Sequence, residues 1–370
     1  MVGWRRLMVL GLSVMGIWAA AASPASAQPL TCGQVITQDT TLDADLTCPS
    51  ITGVRAALFI GADGITLDLA GHTISASRSI IDEGHDNVTI RDGTLANDDG
   101  PLIEHASGTR LRNLRFEGIS TGLDLADAHH TDIRASEFPG AALDIRDGSS
   151  FNTVARNRFS FAEGVVNVTR GANHNRILDN TFAGPSDFDK IFLSDADDNE
   201  VARNRMSALH NGITLLAGSD GNTITDNVVT PEIAVFNLSI GISLSDSSHN
   251  VVLRNTTRGT RVGVQVTSGS GNWLGANRSV DTTRPPTTEA DADGFRIEAG
   301  ARGTILAFNH ARRAADDGID VEAPGTFLSG NTANRNADLG IEAVPEVIDL
   351  GGNRARGNGN PLQCLNVVCS

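Results

Sequence analysis

One short pattern recurs from residue 80 almost to the C-terminus, and it restricts the possible folds more than any other feature. Each unit opens on Gly followed by alternating apolar residues: Gly122-Leu123-Asp124-Leu125, Gly212-Ile213-Thr214-Leu215, Gly241-Ile242-Ser243-Leu244, Gly263-Val264-Gln265-Val266 and Gly318-Ile319-Asp320-Val321. Asn follows about eight residues later, and a second Asn lies five residues beyond it, as in Asn175 and Asn180, Asn199 and Asn204, or Asn222 and Asn227. From Asn157 to Asn353 the second series advances by 23, 24, 23, 28, 22, 32, 22 and 22 residues. A unit of about 22 residues is therefore repeated along the chain, with two insertions.

Each unit holds three short β-branched or alternating segments, such as Gly212 to Leu215, Thr223 to Thr225 and Asn227 to Val229, separated by Asn, Asp, Ser and Gly. No segment between them is long enough for a helix, which excludes leucine-rich and ankyrin solenoids, and the unit is too short for a propeller blade. What remains is an all-β, single-stranded parallel β-helix of three-strand coils, in which equivalent residues of successive repeats stack. One inward column reads Leu123, Leu143, Val166, Ile213, Ile242, Val264, Phe295, Ile319 and Ile341, with Leu125, Ile145, Val168, Leu215, Leu244, Val266, Ile297 and Val321 beside it. The asparagines belong at turns, where their side chains satisfy backbone groups of neighbouring coils and tolerate left-handed geometry. Handedness is not set by the spacing; the parallel crossover rule favours right.

Arg5 and Arg6, an apolar run from Leu7 to Ala22 and the small residues Ala25-Ser26-Ala27 have the three parts of a cleavable secretory signal. Export therefore defines residues 1–27, and no later stretch suggests membrane insertion. Removing this segment moves the formal charge from −15 to −17, which disfavours nucleic acid and anionic lipid. It also disfavours polyanionic substrates unless a local basic patch overrides the mean field. Lys190 is the single lysine, so arginine supplies nearly all the positive charge, and tyrosine is absent. The four cysteines sit at the ends, Cys32 and Cys48 against Cys364 and Cys369. In an exported chain they suggest disulfides, simplest as one local pair at each end, where a solenoid needs caps over its open edges. The expected division is a cap at 28–56, coils over 57–356 and a second cap at 357–370, in a monomer.

Three stretches carry a resemblance: Cys32-Gly33-Gln34-Val35-Ile36-Thr37, Gly61-Ala62-Asp63-Gly64-Ile65-Thr66-Leu67-Asp68-Leu69-Ala70-Gly71-His72-Thr73-Ile74, and the close from Gly357-Asn358-Gly359-Asn360-Pro361 to Cys369. They resemble the bacterial secreted right-handed parallel β-helix repeat proteins of the pectate-lyase-like superfold, over essentially the whole mature chain. The resemblance implies architecture and leaves chemistry open, because that superfold hosts lyases, hydrolases, epimerases and proteins without activity. Of the polygalacturonase-like set only the Asp-Asp element occurs, as Asp98-Asp99 and Asp316-Asp317, and a tyrosine-based lyase is excluded. The chain is also similar to the periplasmic β-helix proteins associated with copper-enzyme maturation, although it lacks the Met, Cys and clustered His that copper favours.

Function on a solenoid occupies one face, flanked by inserted loops. The long intervals place insertions at 230–238 and 282–292, with a shorter one at 184–189, each just before a first strand. The outward residues of those strands read Glu104, Asp124, Asp144, Asn167, Phe192, Thr214, Ser243, Gln265, Arg296, Asp320 and Glu342. Two acidic groups stand out. Glu104, Asp124 and Asp144, with Gln265 further along, are binding candidates, because stacked carboxylates at the coil spacing hold a cation or act as an acid–base pair. Arg296, Asp320, Asp293, Glu298 and Asp317 are the catalytic candidates, with Arg296 opposite Asp320 either as a structural ion pair or beside a sugar carboxylate. Asp195, Asp197 and Asp198 offer oxygen ligands for calcium, but depart from EF-hand spacing. The histidines fall at scattered turns.

Two functions follow from these residues. One is an enzyme, a polysaccharide lyase or hydrolase acting on extracellular or cell-wall glycans; the other is a non-catalytic module binding glycans or proteins, with platforms such as Phe192 or Trp273.

Overall fold

The alternation within each short segment leaves one side apolar, and coiling lets every segment turn that side inward against the same row of neighbours. The computed structural model describes residues 29–49, 55–118, 121–160, 165–184, 188–207, 210–231, 239–284 and 291–370. Among them the first strands of successive coils pair in parallel into a 14-stranded sheet. Second and third strands stack in the same way, as Thr223–Thr225 does on Val251–Leu253 and Val228–Thr230 on Thr256–Arg258. The described residues form no helix, so none is long and apolar enough to cross a membrane. The fold is the expected all-β parallel β-helix.

Its register is the one the repeat implies. Leu123 faces Leu143, and the column continues through Val166, Ile191, Ile213, Ile242, Val264, Phe295, Ile319 and Ile341. All are fully buried, and each contributes on the order of 1.5–3 kcal/mol of transfer free energy before entropy.

The third strands build a second inward row whose residues shrink along the axis. Phe116, Phe138, Phe159 and Phe182 stack with ring centroids 4.5, 4.5 and 4.7 Å apart, and Met206, Val229, Thr257, Ser279, Ala311, Ala333 and Ala355 follow in register. From Gly212 onward, where these residues are Val229 or smaller, each first strand opens on glycine, as the earlier Gly122 also does beside Phe138. A Cβ on Gly212 would lie 2.6 Å from the carbonyl oxygen of Gly241 and 2.6 Å from Val229 Cγ1. The repeated Gly is thus a space requirement: the next coil's backbone occupies the volume a side chain needs.

Both asparagine series are internal hydrogen-bond ladders. Asn227 is fully buried; its Oδ1 accepts from the Asn204 backbone N–H at 2.9 Å and from Asn204 Nδ2 at 3.0 Å, while its Nδ2 donates to the Val201 carbonyl at 2.8 Å. The pattern repeats coil by coil, so each amide serves backbone groups that the corner would leave unpaired. The residue before each ladder Asn sits in the left-handed region, for example Asp179, Arg203, Asp226 and Arg254.

Disulfides Cys32–Cys48 and Cys364–Cys369 lie near the two ends. The segment expected as the first cap already winds as a coil, because Gln34–Ile36 pairs with Leu58–Ile60. At the other end Leu365 N–H donates to the Ile341 carbonyl at 2.9 Å and Val368 N–H to Asp349 Oδ2 at 2.8 Å, which closes the last coil. The secretory signal expected at 1–27 falls outside the described residues, as do much of the insertions expected at 230–238 and 282–292 and part of that at 184–189.

Candidate functional site

Outward residues of the first strands form a continuous row. Asp124, Asp144, Asn167, Phe192, Thr214, Ser243, Gln265, Arg296, Asp320 and Glu342 pair in that order across ten coils. Glu104 does not belong to it. The residue opposite Asp124 is Leu102, and Glu104 faces Ala126, two places along the strand.

In the first acidic group an arginine has taken the place expected for a cation or a second catalytic acid. Arg146 Nε and Nη2 donate to the two oxygens of Asp124 at 2.8 and 2.7 Å, and Arg146 also pairs with Asp147. The Arg146 pKa is raised chiefly by the Asp124 hydrogen bonds. Asp144 accepts from Asn167 Nδ2 at 2.7 Å. These residues line an open groove of about 730 Å³ together with Thr169, Phe192, Ser194 and Asp195.

The second group converges on Arg296. Its guanidinium pairs with Asp291, lies 3.4 Å from Asp293, 3.7 Å from Glu298 and 3.6 Å from Asp320, and bonds Glu322 at 2.7 Å. Gln265, opposite Arg296, donates to Glu298. Burial works against the Arg296 charge, but Asp291, Asp320, Glu322 and Asp293 outweigh it and hold its pKa above the ordinary value. With five carboxylates to one guanidinium, some acids titrate high. Burial, reinforced by Asp320, pushes Asp293 up to about 7. Burial pushes Asp320 to about 7 despite Arg296, with Glu322 and Glu342 adding to the rise. Asp317 stands further from the arginine; burial and a hydrogen bond with the Glu342 carboxyl raise it to about 8. Two of the buried carboxylates also serve the backbone, Asp293 Oδ1 accepting from Asp317 N–H at 3.1 Å and Asp317 Oδ1 from Leu339 N–H at 2.6 Å.

The structure thus unites Arg296, Asp320, Asp293 and Glu298 and places Asp317 one step away. It adds Asp291, whose side chain was hidden in the insertion, and Arg261, which donates to the Asp291 carbonyl at 3.0 Å.

A pH dependence of stability follows. These acids have folded pKa values above their ordinary 3.8, and so has Asp82, an inward residue opposite Ile103 that burial raises to about 6. Between about pH 4 and pH 8 the folded chain therefore binds more protons than the unfolded chain, and stability falls as pH rises. Thermal melts at pH 5 and pH 8 are expected to show the lower Tm at pH 8, with a smaller difference for Asp293→Asn.

Asp195, Asp197 and Asp198 do not form the expected calcium site. Asp197 Oδ1 accepts from Asp220 N–H at 2.8 Å, Asp198 stands 4.0 Å from His174, and Asp195 lines the groove. Consecutive residues at a corner point apart, which is the physical reason. The acidic triad that does converge among the described residues is Asp316, Asp317 and Asp338, with oxygens within 4.8 Å of one another.

The family model described as periplasmic copper-binding protein NosD matches residues 59–232 and 189–358. The chain belongs to the NosD family. No curated protein matches it. Among solved structures it is similar to the catalytic unit of a thermostable α-1,3-glucanase from Streptomyces thermodiastaticus, with a TM-score of 0.55, 15% identity, and coverage of 92% of this chain and 70% of that one. It is also similar to the tailspike of E. coli bacteriophage HK620 in complex with pentasaccharide, with a TM-score of 0.52, 9% identity, and coverage of 91% and 73%. At such identities the likeness concerns the fold.

The donors of this NosD chain do not fit copper. All four cysteines are in disulfides, Met206 is buried in the core, the converging triad among the described residues holds no histidine, and His105 and His129 meet only through the half-exposed Asp127 carboxylate, at 3.7 and 3.2 Å. Copper selects imidazole and soft sulfur, whereas the triad offers hard oxygen alone.

Proposed function

We propose that the chain is an exported, periplasmic or extracellular, glycan-directed β-helix protein and that the Arg296 cluster is its hydrolytic centre. The observation that carries this reading is Asp320: it lies in the outward row, its side chain is 15% exposed, and it titrates at about 7, so it exists as acid and as base at neutral pH. A group of that kind protonates the leaving oxygen of a glycosidic bond, while a second carboxylate, for which Glu298 and Glu322 are placed, assists attack at the anomeric carbon. Hydrolysis is preferred to elimination because Arg296 is engaged by five carboxylates and is not free to take a proton or to neutralise a uronate. The groove along Asp144, Asn167 and Phe192 supports sugar binding on the same row.

The test is turnover of neutral glycans and polyuronates by the mature chain, with and without calcium. Asp320→Asn is expected to lower kcat at least about 100-fold, the usual weight of a general acid, while leaving the fold intact by circular dichroism. Unchanged turnover in this variant would remove the assignment. A second reading, a non-catalytic binding module, is favoured by the same saturation of Arg296; glycan binding without any turnover would establish it.

A further inference from the structure

The third strands of the last coils present a charge opposite to that of the chain as a whole. In one outward column Arg278 faces His310, and Thr332 and Arg354 follow. In the next, Arg258 and Arg312 stand on either side of Val280, which is buried, and Asn334 and Arg356 follow. Arg313 and Arg335 occupy the adjoining corner on successive coils, both exposed. Among the described residues Asp281 alone supplies negative charge there by direct pairing, bonding Arg313 and lying 3.9 Å from Arg258. Arg278, Arg312, Arg335, Arg354 and Arg356 have no ion-pair partner among the described residues. Arg313 is the largest cause of a lowered pKa at Arg312, with Arg335 and Arg278 contributing, so these cations feel one another.

We infer that this face binds a linear polyuronate laid along the coil axis. The inference rests on the glycan-directed reading and names the class of glycan. Three observations select the occupant. In the second column the arginines Arg258, Arg312 and Arg356 recur on every second coil, about 9.6 Å apart, close to the length of two sugars, and a polyuronate carries one carboxylate on each. Guanidinium forks match carboxylates in bidentate geometry. On the adjoining strand, across the corner, the column Trp273, Ile305 and Phe327 turns outward, with Trp273 43% exposed, and adds apolar surface with two rings. The patch supplies the local field that the net charge of −15 would otherwise deny an acidic polymer.

The experiment is calorimetric titration of the full mature chain with polygalacturonate and with alginate, at low and at physiological salt. Expected is binding that weakens with salt and drops at least tenfold in a variant combining Arg278→Gln, Arg312→Gln and Arg354→Gln, whose melting temperature matches the parent. Should that variant melt early, the single exposed change Arg335→Glu replaces it and is expected to weaken binding as well. Asp320→Asn is expected to bind normally, so failure of turnover and failure of binding are read separately. Binding unchanged by the arginine variants overturns the inference, as does equal affinity for a neutral glucan, or a preference for polyglutamate, DNA or phosphatidylglycerol vesicles.

Discussion

Replacing Asn227 by Ala is expected to destabilise the protein by on the order of 4 kcal/mol, far more than its size suggests. The Asn204 N–H, the Asn204 side-chain amide and the Val201 carbonyl each lose a partner inside a corner that water does not reach. A buried polar group left unpaired costs about 1–3 kcal/mol, and although the Asn204 side-chain amide keeps its bond to the Ile177 carbonyl at 2.8 Å, the Asn204 N–H and the Val201 carbonyl both lose the Asn227 amide. Urea unfolding followed by circular dichroism measures the loss. A change below about 1 kcal/mol would mean that the ladder relaxes or admits water, contrary to the rigidity argued from its repeated bonds.

Gly212→Ala is expected to cost about 3 kcal/mol, at the upper end for overpacking. The added methyl meets the Gly241 carbonyl oxygen and both methyls of Val229, at 2.6, 2.6 and 2.7 Å. Neither neighbour can retreat: Gly241 belongs to the parallel ladder, and Val229 is fully buried. Val229→Ala in the same chain is expected to restore part of the loss and not all of it, because the carbonyl contact remains. The same column carries Ala142, Val165 and Lys190 in earlier coils, whose own third strands present Phe159, Phe182 and Met206. Substitution there is expected to be milder, and thermal melts of Gly212→Ala beside Ala142→Gly would separate the two environments.

Much of the architecture was legible in the sequence. A fixed period makes equivalent residues of adjacent repeats spatial neighbours, so the Leu123 column, both asparagine ladders and the pairing of Arg296 with Asp320 could be written down from intervals alone. Glu104 failed because the rule presupposes a constant period, and in the coil before Asp124 it is Leu102, two places earlier, that stands opposite. The aspartates at 195, 197 and 198 failed for a related reason: nearness in sequence is not convergence at a corner. Asp291 escaped notice because it lies at the end of an insertion, where no repeat fixes its neighbours.

The sequence by itself determined the coil, its inward columns and its row of outward strand residues, because a periodic pattern of apolar side chains and turn residues admits few ways to bury the former and bond the latter. Tertiary structure alone decided which charges meet from off the row. Arg146 folds back onto Asp124, five carboxylates close on one guanidinium, and arginines scattered between residues 258 and 356 gather on a single face. Side-chain reach and burial set those encounters, and neither is encoded in the repeat interval.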